Sequence, residues 1–104
     1  MAKYVLAYQG GSMAQTEAEQ KAVMDQWVGW FGSLGAAVID GGNPFGASKM
    51  IASDGSVHDG NGAALTGYSV IDAANLDDAT TKAKGCPVLA AGGSVDVYEA
   101  IEMG

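Results

Sequence analysis

His58, the only histidine of this 104-residue chain, is the side chain best suited to acid–base chemistry near neutral pH. The unperturbed pKa of an imidazole is about 6.5, so the ring can take up or release a proton there. Its neighbour Asp59 is a poor partner, because adjacent residues of a strand point to opposite faces. Asp40 or Asp54 would have to approach the ring in space. The alternative is a histidine of a hairpin that faces solvent.

Asp40 is the second candidate for proton transfer. It ends a strand-like run and is followed by Gly41, Gly42 and Asn43, whose backbone amides could line a pocket. A carboxylate at this place could act as a base or hold a hydroxyl group of a ligand. The alternative is that the Asp40 carboxylate only caps its own turn through an Asx hydrogen bond.

The segments that hold these residues predict one shared site. Ligands bind at strand ends, where loops offer backbone donors and side chains converge. Tyr68, on a later strand, adds a hydroxyl group on an apolar ring that suits a small organic molecule. We therefore predict Asp40 and His58 as catalytic candidates, and as ligand-binding residues Asn43, Pro44, Asp59 and Tyr68.

Metal and cofactor chemistry find little support in the sequence. The chain has one histidine and one cysteine, and its one carboxylate pair, Asp77 and Asp78, is explained by the start of a helix. The glycine pairs do not form a dinucleotide or phosphate-loop fingerprint. We predict no metal and no cofactor. Cys86, before Pro87 at a helix C-terminus that disfavours a thiolate, is expected to be a buried structural thiol.

The composition predicts one soluble domain over residues 1–104. The formal charge is −7, and the five basic residues are scattered lysines, so we expect no nucleic-acid partner. The first apolar run, residues 4–8, is too short for a signal peptide or a membrane span. A cytoplasmic protein with no membrane partner is the expectation.

The elements that must position these residues follow the order β-α-β-hairpin-β-α-β. Thr16 and Glu19 form a capping box that begins a helix over residues 15–34. Asp54-Gly55 predicts the hairpin, and Asn75 caps a second helix over residues 76–84. A last strand is predicted over residues 95–103. The first helix carries an apolar stripe that we expect to pack on the sheet, rather than to form a ligand box: Val23, Trp27, Trp30, Phe31 and Leu34.

This order suits a ferredoxin-like antiparallel sheet with both helices on one face. The strands, however, are apolar on both sides, as Leu6 beside Val5 and Val70 beside Ile71 illustrate. An open apolar face needs a cover, and the simplest cover is the same face of a second subunit. The sequence thus predicts a homodimer.

Several segments, taken in order, resemble the YCII-related family in its DGPF-domain branch. They are residues 3–8, Leu34-Gly35-Ala36, residues 40–44, Asp59-Gly60 with residues 65–71, residues 75–79 and Cys86-Pro87. Asn61 and Gly62 stand where the family's Asp-Gly-Pro-Phe motif has proline and phenylalanine. The resemblance implies a dimeric α+β barrel built from two ferredoxin-like halves. A histidine near the first helix, proposed as catalytic in other members together with an aspartate, has no counterpart in this chain.

Two function classes therefore remain. The first is a protein that binds a small organic ligand in a cleft of a dimeric α+β barrel, without evident catalysis. The alternative is a cofactor-free enzyme acting on a small organic molecule, with Asp40 or His58 as general base. The segments of the predicted site are poor in basic residues, so a neutral or weakly anionic ligand is favoured over a polyphosphate.

Overall fold

A four-stranded antiparallel sheet forms the centre of the protein. The structure is a computed structural model and describes residues 2–11, 15–60 and 65–103. The strand order in the sheet is β2-β5-β1-β6, and all neighbouring strands are antiparallel. A separate two-stranded hairpin pairs β3 with β4. The strands are β1 (Ala2–Gln9), β2 (Val38–Asp40), β3 (Lys49–Ile51), β4 (Val57–Asp59), β5 (Leu65–Ala73) and β6 (Ser94–Ala100).

Helices connect these strands, so the predicted α+β class is confirmed. α1 (Glu17–Leu34) follows β1, and a 3-10 turn over Gly35–Ala37 leads from it into β2. α2 (Leu76–Ala83) and the short α3 (Pro87–Ala90) lie between β5 and β6. The described residues include no helix that is long and apolar enough to cross a membrane.

The two faces of the sheet have different surroundings. In β1, Tyr4, Leu6 and Tyr8 are buried beneath the helices, whereas Val5 and Ala7 on the opposite side are only half-buried. We call the first side the helix face and the second the open face. The core lies between the helix face and the three helices, and it comprises Tyr4, Leu6, Tyr8, Trp30, Ile71, Ala73, Ala79, Ala83, Cys86 and Val88.

The start of α1 confirms the predicted cap. The Thr16 hydroxyl accepts a hydrogen bond from the Glu19 N–H at 3.1 Å, and the Glu19 carboxylate accepts one from the Gln15 N–H at 2.7 Å. The second half of the box therefore reaches one residue further back than the usual pattern. The helix begins at Glu17, two residues later than predicted.

The apolar stripe of α1 is only partly a core stripe. Trp30 is buried, and Trp27, Phe31 and Leu34 are half-buried against the core. Val23, by contrast, is 39% exposed, so the prediction was wrong for this residue. Val23, Met24, Trp27 and Phe31 of α1 form one wall of a cleft.

α2 is held at both ends by predicted and unpredicted contacts. The Asn75 side chain accepts a hydrogen bond from the Asp78 N–H at 2.8 Å, which confirms the N-cap, and Asp78 also pairs with Lys82 at 2.7 Å. The indole N–H of Trp30 donates to the Lys82 carbonyl at 3.1 Å and ties α1 to α2. A Cβ atom at Gly85 would lie 2.9 Å from that indole, so glycine permits this approach.

The last strand is shorter than predicted. β6 ends at Ala100, not at residue 103, and it forms one edge of the sheet. In its register with β1, Ala100 lies opposite Lys3, so only Ile101 beyond it still has a β1 residue, Ala2, beside it.

Candidate functional site

The loop after β2 is shaped by Asp40 and two glycines. The Asp40 carboxylate accepts a hydrogen bond from the Gly42 N–H at 2.8 Å, which is the Asx turn considered as an alternative for this residue. Gly42 has a φ of +76°, and a Cβ atom there would overlap the Tyr68 carbonyl oxygen. The loop can therefore approach β5 this closely only with glycine at position 42.

Backbone hydrogen bonds then hold the loop along β5. The Tyr68 N–H donates to the Asn43 carbonyl at 3.4 Å, and the Phe45 N–H donates to the Thr66 carbonyl at 2.9 Å. Between them, Pro44 forms an isolated bridge with Gly67. The 41–45 segment therefore continues the sheet beyond the short β2.

The structure brings two of the predicted site residues, Asp40 and Tyr68, into contact. The Tyr68 hydroxyl donates to Asp40 Oδ2 at 3.4 Å, and the Tyr68 ring stacks on Phe45 with centroids 5.7 Å apart. Tyr68 is paired with Ala7, so this group lies on the open face. Because the other Asp40 oxygen accepts from the Gly42 N–H, both carboxylate oxygens accept a hydrogen bond.

A cleft lies on the opposite side of the loop, on the helix face. It encloses about 350 Å³ between α1 and residues 41–44, and none of its described lining residues carries a charge. Asn43, Pro44 and Tyr68, predicted as ligand-binding residues, all border it, although the Tyr68 ring lies on the open face. The remaining lining residues are Tyr8, Val23, Met24, Trp27, Phe31, Gly41, Gly42, Thr66, Gly67 and Val88.

Buried hydroxyl groups connect the floor of the cleft to the loop. The Tyr8 hydroxyl donates to Ser69 Oγ at 2.6 Å, and Ser69 Oγ donates to the Gly41 carbonyl at 2.7 Å. Burial raises the pKa of Tyr8 well above its ordinary value, so the phenol stays neutral and keeps donating. The chain of hydrogen bonds fixes both the floor and one rim of the cleft.

Cys86 lies beside this floor and is inert. Its thiol is buried, which confirms the expected structural role, and burial raises its pKa. A raised thiol pKa suppresses the reactive thiolate. Cys86 therefore supplies packing under the cleft rather than chemistry.

His58 and Asp59 lie elsewhere, on the exposed β3–β4 hairpin. Asp59 pairs with Lys49 at 2.8 Å, and the His58 ring nitrogen Nε2 lies 3.1 Å from the Ser56 hydroxyl. Ser56 also bonds Asp54, so these contacts remain within the hairpin. Neither predicted residue lines the cleft, and a site that they share with Asp40 remains a prediction.

Sequence reasoning missed the aromatic part of the cleft. The sequence predicts that Trp27 and Phe31 pack on the sheet, and it does not single out Tyr8. The Trp27 ring meets the Tyr8 ring edge-on at 5.3 Å and the Phe31 ring at 5.7 Å, so the three rings form one cluster. Two tryptophans on one helix can indicate a ligand-binding site, and this was the sequence pattern that could have identified the aromatic wall of the cleft.

Neither metal ligands nor known relatives add to this geometry. No group of three or more histidine, cysteine, aspartate or glutamate side chains able to hold a metal ion occurs within residues 2–11, 15–60 and 65–103. No model of a known protein family matches the chain, and no curated protein sequence matches it significantly.

Proposed function

We propose that the protein binds a small, uncharged organic molecule in the cleft between α1 and residues 41–44. The observation that carries this proposal is a cleft of about 350 Å³ whose lining, among the residues that the structure describes, includes no charged side chain, on a chain of net charge −7. Ligand pockets of about 300–1,000 Å³ are mainly apolar with a few polar groups. This cleft has that size and that chemistry.

The lining favours a flat, aromatic ligand over a polar one. Trp27 and Phe31 present ring surface from α1, and Tyr8 lies at the floor. The Tyr8 hydroxyl is already bonded to Ser69, so it offers the ligand an apolar ring more than a donor. An anion would lose its hydration without gaining a cationic partner.

Calorimetric titration with two matched probes tests the proposal. We expect 2-naphthol, which is uncharged at pH 7, to bind at least about tenfold more tightly than 2-naphthalenesulfonate. The described lining of the cleft offers no cation to offset the lost hydration of a sulfonate. Equal affinities, or binding of the sulfonate alone, would contradict a neutral cleft.

A pair of glycine variants locates the binding. A Cβ atom at Gly41 would lie 3.7 Å from the Phe31 ring, an ordinary contact, so Gly41→Leu fills the cleft without backbone strain. Gly46→Leu adds the same side chain where no atom lies within 4 Å. We expect the first variant to weaken 2-naphthol binding at least about tenfold and the second to leave it unchanged. If Gly41→Leu binds normally, the ligand lies elsewhere.

We also propose that the chain forms a homodimer through its open face, as an α+β barrel of two ferredoxin-like units. The support is the half-buried apolar centre of that face, Val5, Ala7 and Val70, beside Tyr98, which is 59% exposed. A relationship to the YCII-related family is part of this proposal, and it rests on the sequence segments described above.

Catalysis by Asp40 or His58 is less well supported than ligand binding. Both oxygens of the Asp40 carboxylate already accept hydrogen bonds, from the Tyr68 hydroxyl and the Gly42 N–H, and the carboxylate lies on the open face rather than in the cleft. His58 lies on the exposed hairpin. The binding role uses the groups that the structure does gather in one cleft.

A further inference from the structure

The open face carries its charges in a definite order. Cross-strand neighbours on β5, β1 and β6 form three successive rows across the sheet. The Lys3 row is Asp72, Lys3 and Ala100; the Val5 row is Val70, Val5 and Tyr98; the Ala7 row is Tyr68, Ala7 and Asp96.

The middle row is apolar and the two outer rows differ in charge. Lys3 is the only cation among these nine residues, and Asp96 lies in the row on the other side of Val5. Asp72 is the neighbour of Lys3 within its own row, and Asp40 lies at the β2 edge beside Tyr68. The Lys3 row is therefore formally neutral, because Asp72 lies beside Lys3, whereas Asp96 leaves the Ala7 row negative. In a copy turned around, Lys3 can offer its charge to that negative row.

Two orientations are open to a second copy stacked on this face. Aligned sheets keep their strands within about 30° of each other, so the two-fold axis runs either along the strands or across them. An axis along β1 would place Lys3 over the partner's Lys3, and like charges repel. An axis across the strands at Val5 places each Lys3 row over the partner's Ala7 row.

We infer that two copies of this chain stack with the axis across the strands at Val5, so that Lys3 of each subunit pairs with the partner subunit's Asp96. The inference rests on the proposed homodimer and adds its orientation and its ion pairs. Val5 then packs on its own symmetry mate. The small Ala7 leaves room for the lysine stem above it.

The distances suit this pairing. Stacked sheets lie about 10 Å apart and neighbouring strands about 4.8 Å apart. The Lys3 and Asp96 side chains together span the gap between a strand and the neighbour of the strand above it. Asp96 is also oriented in advance, because its Oδ2 accepts a hydrogen bond from Gln9 Nε2 at 2.7 Å.

A charge exchange tests the pairing. Sedimentation equilibrium should show that Lys3→Glu or Asp96→Lys raises the dimer dissociation constant at least about tenfold, and that the double variant returns it to within about threefold of the wild type. Lys21→Glu is the matched control, because Lys21 is exposed on α1 and the change in net charge is the same. Circular dichroism checks that each variant is folded. A double variant as weak as the single variants overturns the pairing.

Cross-linking with a short bismaleimide tests the orientation separately. Cys86 is buried, so an introduced cysteine supplies the accessible thiol, and wild-type protein measures the background. In a mixture of differently tagged chains, Lys3→Cys should couple to Ala7→Cys and not to itself. Coupling of Lys3→Cys to itself overturns the inference but leaves the dimer intact. A wild-type monomer at micromolar concentration overturns the proposed dimer and the inference with it.

Discussion

Gly42 and Gly46 lie four residues apart in the loop, yet they should respond differently to the same substitution. Gly42 has a φ of +76° and its Cβ would overlap the Tyr68 carbonyl, whereas Gly46 has open space and no positive φ. We expect Gly42→Ala to lower the free energy of unfolding by about 3 kcal/mol or more, and Gly46→Ala to change it by less than about 1 kcal/mol. Urea denaturation of both variants measures the difference, and equal effects would show that the loop does not lie against β5.

Tyr8 should make the protein sensitive to alkali. Its pKa is raised in the folded state, chiefly by burial, above the ordinary value of 10.0. The folded state therefore holds this proton more tightly than the unfolded state. The stabilising contribution is complete below the unfolded pKa and is lost as the pH rises through the folded pKa. Cys86, raised above 9.0 by burial, acts in the same direction.

Tyr8→Phe separates the contribution of the phenol. At pH 7 the variant should lose about 1 kcal/mol, because Ser69 loses the hydrogen bond from Tyr8. Between pH 9 and pH 11, roughly the range in which unfolded cysteine and tyrosine titrate, its stability should fall less steeply than that of the wild type. Parallel profiles for the wild type and Tyr8→Phe would contradict this assignment.

The roles of individual residues could be predicted where their hydrogen-bond partners are close in sequence. The caps at Thr16 and Asn75 and the turn at Asp40 involve partners two or three residues away. The hydrogen bond from Tyr8 to Ser69 joins residues 61 positions apart, and no local sequence pattern predicts it. The floor of the cleft was therefore beyond the reach of the sequence.

Within α1, neighbouring aromatic residues should differ in their contribution to stability. Trp30 is buried and its indole bonds the Lys82 carbonyl, whereas one side of Phe31 borders the cleft. We expect Trp30→Ala to lower the free energy of unfolding by about 3–5 kcal/mol and Phe31→Ala by about 1–3 kcal/mol. Chemical denaturation at one protein concentration compares them. A larger loss for Phe31→Ala would mean that the cleft is closed in solution.

Helical periodicity identified the apolar side of α1 but not its depth. A repeat of three and four residues tells which side chains share a face. It does not tell where the sheet beneath the helix ends. Val23 and Met24, at 39% and 62% exposure, line a cleft instead of the core.

The β3–β4 hairpin also has one feature that the sequence predicts, its turn, and one that it does not, its position relative to the sheet. Its turn was predicted from Asp54-Gly55 and is confirmed, with Gly55 at a φ of +88°. Its place relative to the sheet depends on the connections on either side, which carry no comparable pattern. His58 therefore lies on a correctly predicted hairpin while its predicted neighbour, Asp40, bonds Tyr68.

For the whole molecule, the proposed dimer gives stability a dependence on protein concentration. Light scattering at micromolar concentration should report twice the chain mass of 10.5 kDa. The melting temperature should rise with concentration, because association stabilises the folded chain by mass action.

A lysine placed on the open face should abolish this behaviour. Val5→Lys should yield a monomer whose melting temperature is independent of concentration, because a buried interface cannot accept an unpaired charge. Val28→Lys makes the same change on the exposed side of α1 and should remain dimeric. A dimeric Val5→Lys variant would place the interface elsewhere.

The overall proportions agree with a sheet covered on one side. The chain extends 44 × 42 × 18 Å, and its thin direction leaves room for one layer of strands and one of helices. The order of the elements predicted both layers from the sequence. The cleft lies where the helix layer and the sheet do not cover each other completely. The relative extent of two layers cannot be predicted from a sequence pattern.

The intrinsic fluorescence of the protein comes largely from two tryptophans that differ in burial. Trp30 is buried with its indole nitrogen bonded to a carbonyl, so its emission should be blue-shifted. Trp27 borders the cleft, and its emission should respond to anything that enters. Their ring centroids are 5.7 Å apart, so excitation passes readily between them, and a ligand beside Trp27 should also alter the light that Trp30 emits. Trp27→Phe would remove this coupling and leave Trp30 as a reporter of folding.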